Sequence, residues 1–160
     1  MIMDSVKQGR NIVVQITKNF DSIDVHLSKL KKLVKAVCNH FKLSKATVSI
    51  AIVDDAEIRK ANKRFLGRTC TTDCLSFDLS DDESSSKSFE VVVNAEKAVE
   101  EAKLRGHSAE AELALYITHG LLHNLGFNHS RQQEAEKMHK TEDKILRQLG
   151  FGSVYNRSGR

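Results

Sequence analysis

Three histidines, His119, His123 and His129, lie close together in the segment HGLLHNLGFNH. Positions four apart on an α-helix are about 40° apart around the axis and about 6 Å apart along it, so His119 and His123 can reach one ion from one helical face. His129 would point away from that face if the helix continued. Gly126 permits the left-handed conformation that ends a helix, which lets the chain turn and bring His129 back. The segment therefore predicts a metal site with three imidazole ligands, most suited to zinc.

The helix predicted to carry the first two histidines, at about residues 108–125, is apolar nearly all round. A His-x-x-x-His pair on a solvated helix would carry little weight. Two histidines buried in an apolar helix need polar partners, and one metal ion satisfies both. The remaining histidines have no such companions and are expected to be surface or structural residues: His26, His40, His107 and His139.

The coordination number decides what such a metal does. Three protein ligands plus water is the pattern of catalytic zinc, whereas four protein ligands close a structural site. Cys70, Asp73 and Cys74 lie in a segment that could supply a fourth ligand, but one Cys-x-x-x-Cys spacing is a weak signal. We favour one zinc ion bound by three histidines, with water in an open fourth position.

The same histidine spacing occurs in metzincin peptidases. Those enzymes carry a glutamate directly after the first histidine, where it serves as general base. This chain has Gly120 at that position. The missing proton acceptor argues against a peptidase.

The elements that must position these residues follow from hydrophobic periodicity and capping residues. Strands are predicted at about residues 11–17, 46–53, 73–80 and 89–93, and helices at about 24–41, 55–65, 94–106, 108–125 and 131–149. Asp54 and Asn94 are predicted helix N-caps, and Gly67 is a predicted helix end. The order favours an α+β fold with a single mixed four-stranded sheet packed with about five helices.

Chain length and composition bound the possible organisation. With 160 residues, 40% hydrophobic and 29% charged, we expect a single domain over residues 1–150 and a C-terminal tail over 151–160. No apolar run is long enough to cross a membrane, and no secretory signal is visible. Three cysteines without such a signal favour reduced thiols, so we expect a cytoplasmic protein with no membrane partner.

Positive charge is concentrated just before the predicted third strand. Residues 59–68 contain five basic side chains and no acidic one: Arg59, Lys60, Lys63, Arg64 and Arg68. Residues 78–83, in contrast, are mostly acidic. A surface polarised in this way suits a polyanionic partner such as RNA.

The histidine segment resembles the signature of the YbeY family, the bacterial endoribonucleases of ribosomal RNA maturation, usually written HGxLHLxGYDH. The three histidines and both glycines match, while Asn124, Phe127 and Asn128 replace the usual leucine, tyrosine and aspartate. The segment TDCLSF at residues 72–77 resembles the family's TDVLSFP, and FEVVVN at residues 89–94 is similar to its GDIVI strand.

This resemblance implies an α+β zinc protein that acts on single-stranded RNA, with His119, His123 and His129 as the metal ligands. It also implies a functionally important arginine shortly before the TDCLSF segment. In gapless register that position is Leu66, and the flanking Arg64 and Arg68 are the candidates to replace it.

The resulting hypothesis is a zinc-dependent single-strand endoribonuclease of ribosomal RNA maturation and ribosome biogenesis. Its partners would be a ribosomal RNA precursor and the small ribosomal subunit. Arg68, Arg64 or Arg59 would neutralise phosphate charge, and Ser76 would orient the substrate unless its hydroxyl is ordinary strand polarity. Two alternatives remain open: a non-catalytic ribosome-assembly factor with a structural metal, and a zinc hydrolase of amides or esters.

Overall fold

The computed structural model describes residues 10–83, 85–128 and 130–154, and these form one sheet and five helices. The strands are β1 (Asn11–Lys18), β2 (Lys45–Val53), β3 (Cys74–Asp78) and β4 (Lys87–Asn94). The helices are α1 (Leu27–His40), α2 (Asp55–Leu66), α3 (Ala95–Arg105), α4 (Ala109–Asn124) and α5 (Gln132–Gln148). The predicted α+β class is confirmed.

The sheet is mixed, as predicted, with strand order β1-β2-β4-β3. β1, β2 and β4 are parallel, and β3 is an edge strand antiparallel to β4. Successive side chains of a strand point to opposite faces. Cys74 and Ser76 therefore share one face of the sheet, and Leu75 and Phe77 share the other.

The main core lies on the face of the sheet that α4 covers. The buried residues of α4 run without a break from Ala111 to Thr118 and resume at Gly120. They pack with Ile50 and Val91 of the sheet and with side chains of α1 and α5 in one cluster. Full burial of an aliphatic side chain contributes about 1.5–3 kcal/mol, so this helix is firmly held. The expectation of a helix that is apolar nearly all round is confirmed.

The opposite face of the sheet carries α2 and a smaller core. Ile58 of α2 packs with Val53 and Leu75, and Phe77 packs against their edge. Asp54 caps α2, because its Oδ1 accepts a hydrogen bond from the Glu57 amide at 2.8 Å. Gly67 ends α2 at φ +66°. Both predicted helix boundaries are confirmed.

The segment predicted as a C-terminal tail begins with residues that contact the core. Val154 is buried and Phe151 packs against the same cluster. Residues 155–160 lie outside the described part of the chain. Within the described residues, no helix is long and apolar enough to cross a membrane.

Candidate metal centre and the cleft beside it

His119 and His123 lie on successive turns at the C-terminal end of α4, and both side chains are half-buried. Their Nε2 atoms face each other at 3.0 Å. Two nitrogens bound tetrahedrally to one zinc ion lie about 3.3 Å apart, given Zn–N bonds of about 2.0–2.1 Å. The helix therefore brings two of the three predicted ligands to one point.

The Nδ1 atoms of both rings, on the side away from the facing Nε2 atoms, lie next to hydrogen-bond acceptors. His119 Nδ1 lies 3.1 Å from Glu142 Oε1, and His123 Nδ1 lies 3.1 Å from the carbonyl oxygen of Phe127. A carbonyl oxygen only accepts, so Nδ1 of His123 carries the proton, and a carboxylate imposes the same tautomer on His119. Both Nε2 atoms of the neutral rings then present lone pairs to each other. This arrangement suits the two Nε2 atoms as ligands of one cation.

The third predicted ligand, His129, lies outside the described residues. The turn that leads toward it is described, and Gly126 has φ +96°, the left-handed conformation expected of it. Within residues 10–83, 85–128 and 130–154, no group of three His, Cys, Asp or Glu side chains is arranged to hold a metal. The three-histidine set therefore remains a prediction, with two members in suitable geometry.

Glu142 is the residue of this centre that sequence reasoning missed. It is fully buried in α5, and its Oε1 also lies 3.4 Å from Nδ1 of His139. Burial raises the pKa of this carboxyl, but the hydrogen bonds from His119 and His139 outweigh that effect and leave its pKa below the usual value. A carboxylate behind a ligating imidazole fixes the ring and raises its basicity. His139, which was expected to have no role at the site, is therefore part of its surroundings.

The candidate fourth ligands do not join the two histidines. None of Cys70, Asp73 and Cys74 forms a metal-holding group with them in the described structure. Burial and the neighbouring Asp73 carboxylate raise the pKa of the Cys74 thiol well above its usual value.

Gly120 lets α4 approach the sheet closely beside the histidines. A Cβ atom at this position would lie 2.8 Å from Val91 Cγ1 and 3.5 Å from Ser76 Cβ. Ser76 therefore lies directly under the histidine helix, on the face of β3 that the alternation assigns to it. The same contact leaves no room for a glutamate after the first histidine.

A cleft of about 290 Å³ opens at the β3 edge of the sheet. Arg68, Ser76 and Leu66 line it, together with Cys70 and Cys74. Gly67 turns the chain at the end of α2, and the amide of Arg68 donates to the Asn62 carbonyl at 3.3 Å. Arg68 thus shares a cleft with the position at which the family pattern has its arginine.

The other two candidate arginines lie elsewhere. The guanidinium carbon of Arg64 lies 5.3 Å from the ring centre of Phe65. Nε of Arg59 donates to Oδ2 of Asp55 at 2.6 Å, so Arg59 forms an ion pair within α2. Neither lines the cleft that contains Arg68 and Ser76.

Polar contacts hold the loop that carries Arg68 and the TDCLSF segment. Asp55 accepts hydrogen bonds from Thr71 Oγ1 and from Asn94 Nδ2, the latter at 2.9 Å. Asn62, buried in α2, donates to the Cys70 carbonyl at 2.8 Å. The cleft is therefore anchored to α2 and to the end of β4.

The chain matches the family model described as Endoribonuclease YbeY over residues 15–150. This chain belongs to the YbeY family. The Endoribonuclease YbeY of Carboxydothermus hydrogenoformans is 37% identical over 141 residues, which cover 87% of this chain and 99% of the relative. That of Thermoanaerobacter sp. (strain X514) is 31% identical over 156 residues, covering 87% and 98%.

A solved structure shares the fold. The solution structure of TM1509 from Thermotoga maritima aligns with a TM-score of 0.57 and 21% identity, over 92% of this chain and 99% of that chain. The YbeY resemblance drawn from the HGLLHNLGFNH and TDCLSF segments is confirmed, and both segments meet at the contact between Gly120 and Ser76.

Proposed function

We propose that this YbeY-family protein is a zinc-dependent endoribonuclease that cleaves single-stranded RNA. The observation that carries the proposal is the pair of Nε2 atoms of His119 and His123, 3.0 Å apart on a helix next to an arginine-lined cleft. The name Endoribonuclease YbeY of relatives that match nearly their full length supports the reaction class.

The residues have distinct roles in this proposal. His119, His123 and His129 hold the zinc ion, and Glu142 and the Phe127 carbonyl fix the first two rings. Zinc supplies Lewis acidity toward a phosphodiester oxygen and lowers the pKa of water. The remaining chemistry belongs to the cleft.

Within the cleft, Arg68 binds the phosphate. A guanidinium offers paired donors to two phosphate oxygens, and no carboxylate of the described residues lies within ion-pair distance of Arg68. Ser76 lines the same cleft as Arg68 and lies next to Gly120 of the histidine helix, where its hydroxyl orients the substrate.

Ribosomal RNA maturation is the process we propose for this activity, with a ribosomal RNA precursor and the small ribosomal subunit as partners in the cytoplasm. The support is the family resemblance, the basic α2 segment and the free thiols of Cys38, Cys70 and Cys74.

One observation favours a second candidate, a ribosome-assembly factor that binds RNA without cutting it. The position at which the family pattern has its arginine is Leu66, and its side chain is 49% exposed in the cleft. If Arg68 does not replace that arginine, the cleft binds RNA but lacks the group that neutralises the reacting phosphate.

Cleavage of a single-stranded RNA by wild type and by His123→Ala distinguishes the two candidates. The endoribonuclease predicts cutting by wild type and a loss of at least about a hundredfold in the variant, since the variant loses a ligand of the metal. His26→Ala, which removes an exposed histidine on another part of the surface, is the matched control and keeps full activity. Wild type that binds RNA and never cuts it supports the assembly factor.

A further inference from the structure

Phe65 at the end of α2 is a large apolar side chain that the fold leaves in solvent. Its ring is 59% exposed, whereas the other aromatic residue of this corner, Phe77, is half-buried against the α2 core. The two rings meet edge to face, with centres 5.5 Å apart and planes at 63°. Phe77 therefore supports one edge of the exposed Phe65 ring.

A cation lies beside this aromatic pair. The guanidinium carbon of Arg64 is 5.3 Å from the centre of the Phe65 ring. No carboxylate of the described residues is within ion-pair distance of Arg64. The guanidinium is planar and stacks on nucleobases as readily as on phenyl rings.

The aromatic pair adjoins the cleft of the proposed active site. Leu66, directly after Phe65, and Leu75, which shares a face of β3 with Phe77 and packs with it, both line that cleft with Arg68. A strand that crosses Phe65 therefore has Arg68 next to it in the same cleft.

We propose that Phe65, supported by Phe77 and flanked by Arg64, is a stacking platform for one unpaired base of an RNA substrate. This inference rests on the proposed function and adds the reason for a single-strand preference. A base inside a duplex has no free face to offer, whereas an unpaired base stacks on an aromatic ring and leaves its phosphate for Arg68.

The first test compares the affinity of wild type, Phe65→Ala and Leu104→Ala for a short single-stranded RNA, checked on a gel to be intact after the measurement. We expect Phe65→Ala to bind about 5- to 100-fold more weakly, the range of one base stack. Leu104, 81% exposed on α3, is the matched apolar control, and its loss should leave affinity unchanged. The salt dependence should be that of wild type for Phe65→Ala and weaker for Arg68→Ala.

A second measurement detects stacking itself. The chain contains no tryptophan, so Phe65→Trp places a single indole fluorophore at the platform. Its emission should be quenched by the RNA and should not change with an oligonucleotide of the same length made of abasic sugars. For this abasic oligonucleotide, wild type and Phe65→Ala should have equal affinity.

Three results would overturn the platform: equal RNA affinity of Phe65→Ala and wild type, unchanged emission of the Phe65→Trp variant with bound RNA, or an equal loss for RNA and the abasic strand. Dissociation of self-associated wild type by Phe65→Ala would assign the patch to a second copy of the chain and also overturn it. If wild type cleaves RNA but Phe65→Ala binds normally, only the platform fails. If wild type neither binds nor cleaves RNA, the proposed function fails with it.

Discussion

His119 and His123 differ in the group that accepts the hydrogen bond of their Nδ1 atom. The acceptor of His119 is the buried side chain of Glu142, whereas the acceptor of His123 is the backbone oxygen of Phe127. A backbone acceptor persists under substitution, but a side-chain acceptor does not. The two predicted ligands are therefore positioned by different groups. A substitution can remove the acceptor of His119 but not that of His123.

Glu142→Gln should weaken zinc binding about 10- to 100-fold, the usual effect of losing a carboxylate behind a ligating imidazole. The amide keeps the shape of the side chain but not its charge. Competition with a chelator of known affinity measures the change. Glu134→Gln, an exposed position at the start of α5, should bind zinc as wild type does. Equal zinc affinity in Glu142→Gln would remove Glu142 from the centre.

The sequence predicted His119 and His123 as metal ligands but not the residue that hydrogen-bonds to His119. Spacing along one helix is local, so His119 and His123 could be recognised from the HxxxH pattern. Glu142 reaches His119 from a different helix, and only the fold brings them together. One signal was available: Glu142 falls on the buried stripe of α5 with Met138 and Ile145, where an unpaired charge is costly.

Two elements come into tight contact where Gly120 of α4 meets Val91 of β4. An added Cβ at 2.8 Å from Val91 Cγ1 requires the Val91 side chain or one of the two elements to shift. Overpacking of this kind costs about 1–3 kcal/mol, while alanine in place of a helical glycine gains about 1 kcal/mol. The two effects act in opposite directions, and the steric cost is the larger.

Gly120→Ala should therefore lower the free energy of unfolding by about 1 kcal/mol, measured by urea denaturation. In a Val91→Ala background the clash disappears, and the same substitution should be neutral or stabilising. That reversal of sign separates packing from helix propensity. A Gly120→Ala protein more stable than wild type would contradict the close contact.

Element types and the capped ends of α2 were predictable from the sequence, but the ends of the strands and their order in the sheet were not. β3 was predicted over residues 73–80 and is Cys74–Asp78, and β4 was predicted over 89–93 and is Lys87–Asn94. Polar Lys87 and Ser88 join β4 because Ala46 and Thr47 of β2 pair with them. Strand order and such pairing depend on partners distant in sequence, which local patterns do not contain.

Asp55 links distant parts of the whole molecule. It begins α2, binds Thr71 of the cleft loop, and accepts from Asn94 at the junction of β4 and α3. Hydrogen bonds from Thr71 and Arg59, outweighing the opposite effect of burial, lower the pKa of its carboxyl from 3.8 to about 2. A lowered pKa in the folded state stabilises the fold above the unfolded-state pKa, and this stability is lost as pH falls toward 2.

Asp55→Asn should therefore unfold at lower urea concentration than wild type at pH 7, and the difference should disappear as the pH approaches about 2. The matched control is Asp54→Asn, because asparagine caps a helix as well as aspartate does and should leave the stability near that of wild type. A difference between Asp55→Asn and wild type that does not depend on pH would contradict the linkage.

The proposed metal centre and cleft predict that cleavage depends on one metal ion per chain. The most direct measurement strips the purified protein with a chelator, adds zinc stepwise, and follows the initial rate of single-stranded RNA cleavage. We predict no cleavage by the stripped protein and a rate that rises linearly to a plateau at about one zinc per chain, the stoichiometry of a mononuclear site. Full-rate cleavage by the stripped, still folded protein would contradict the account.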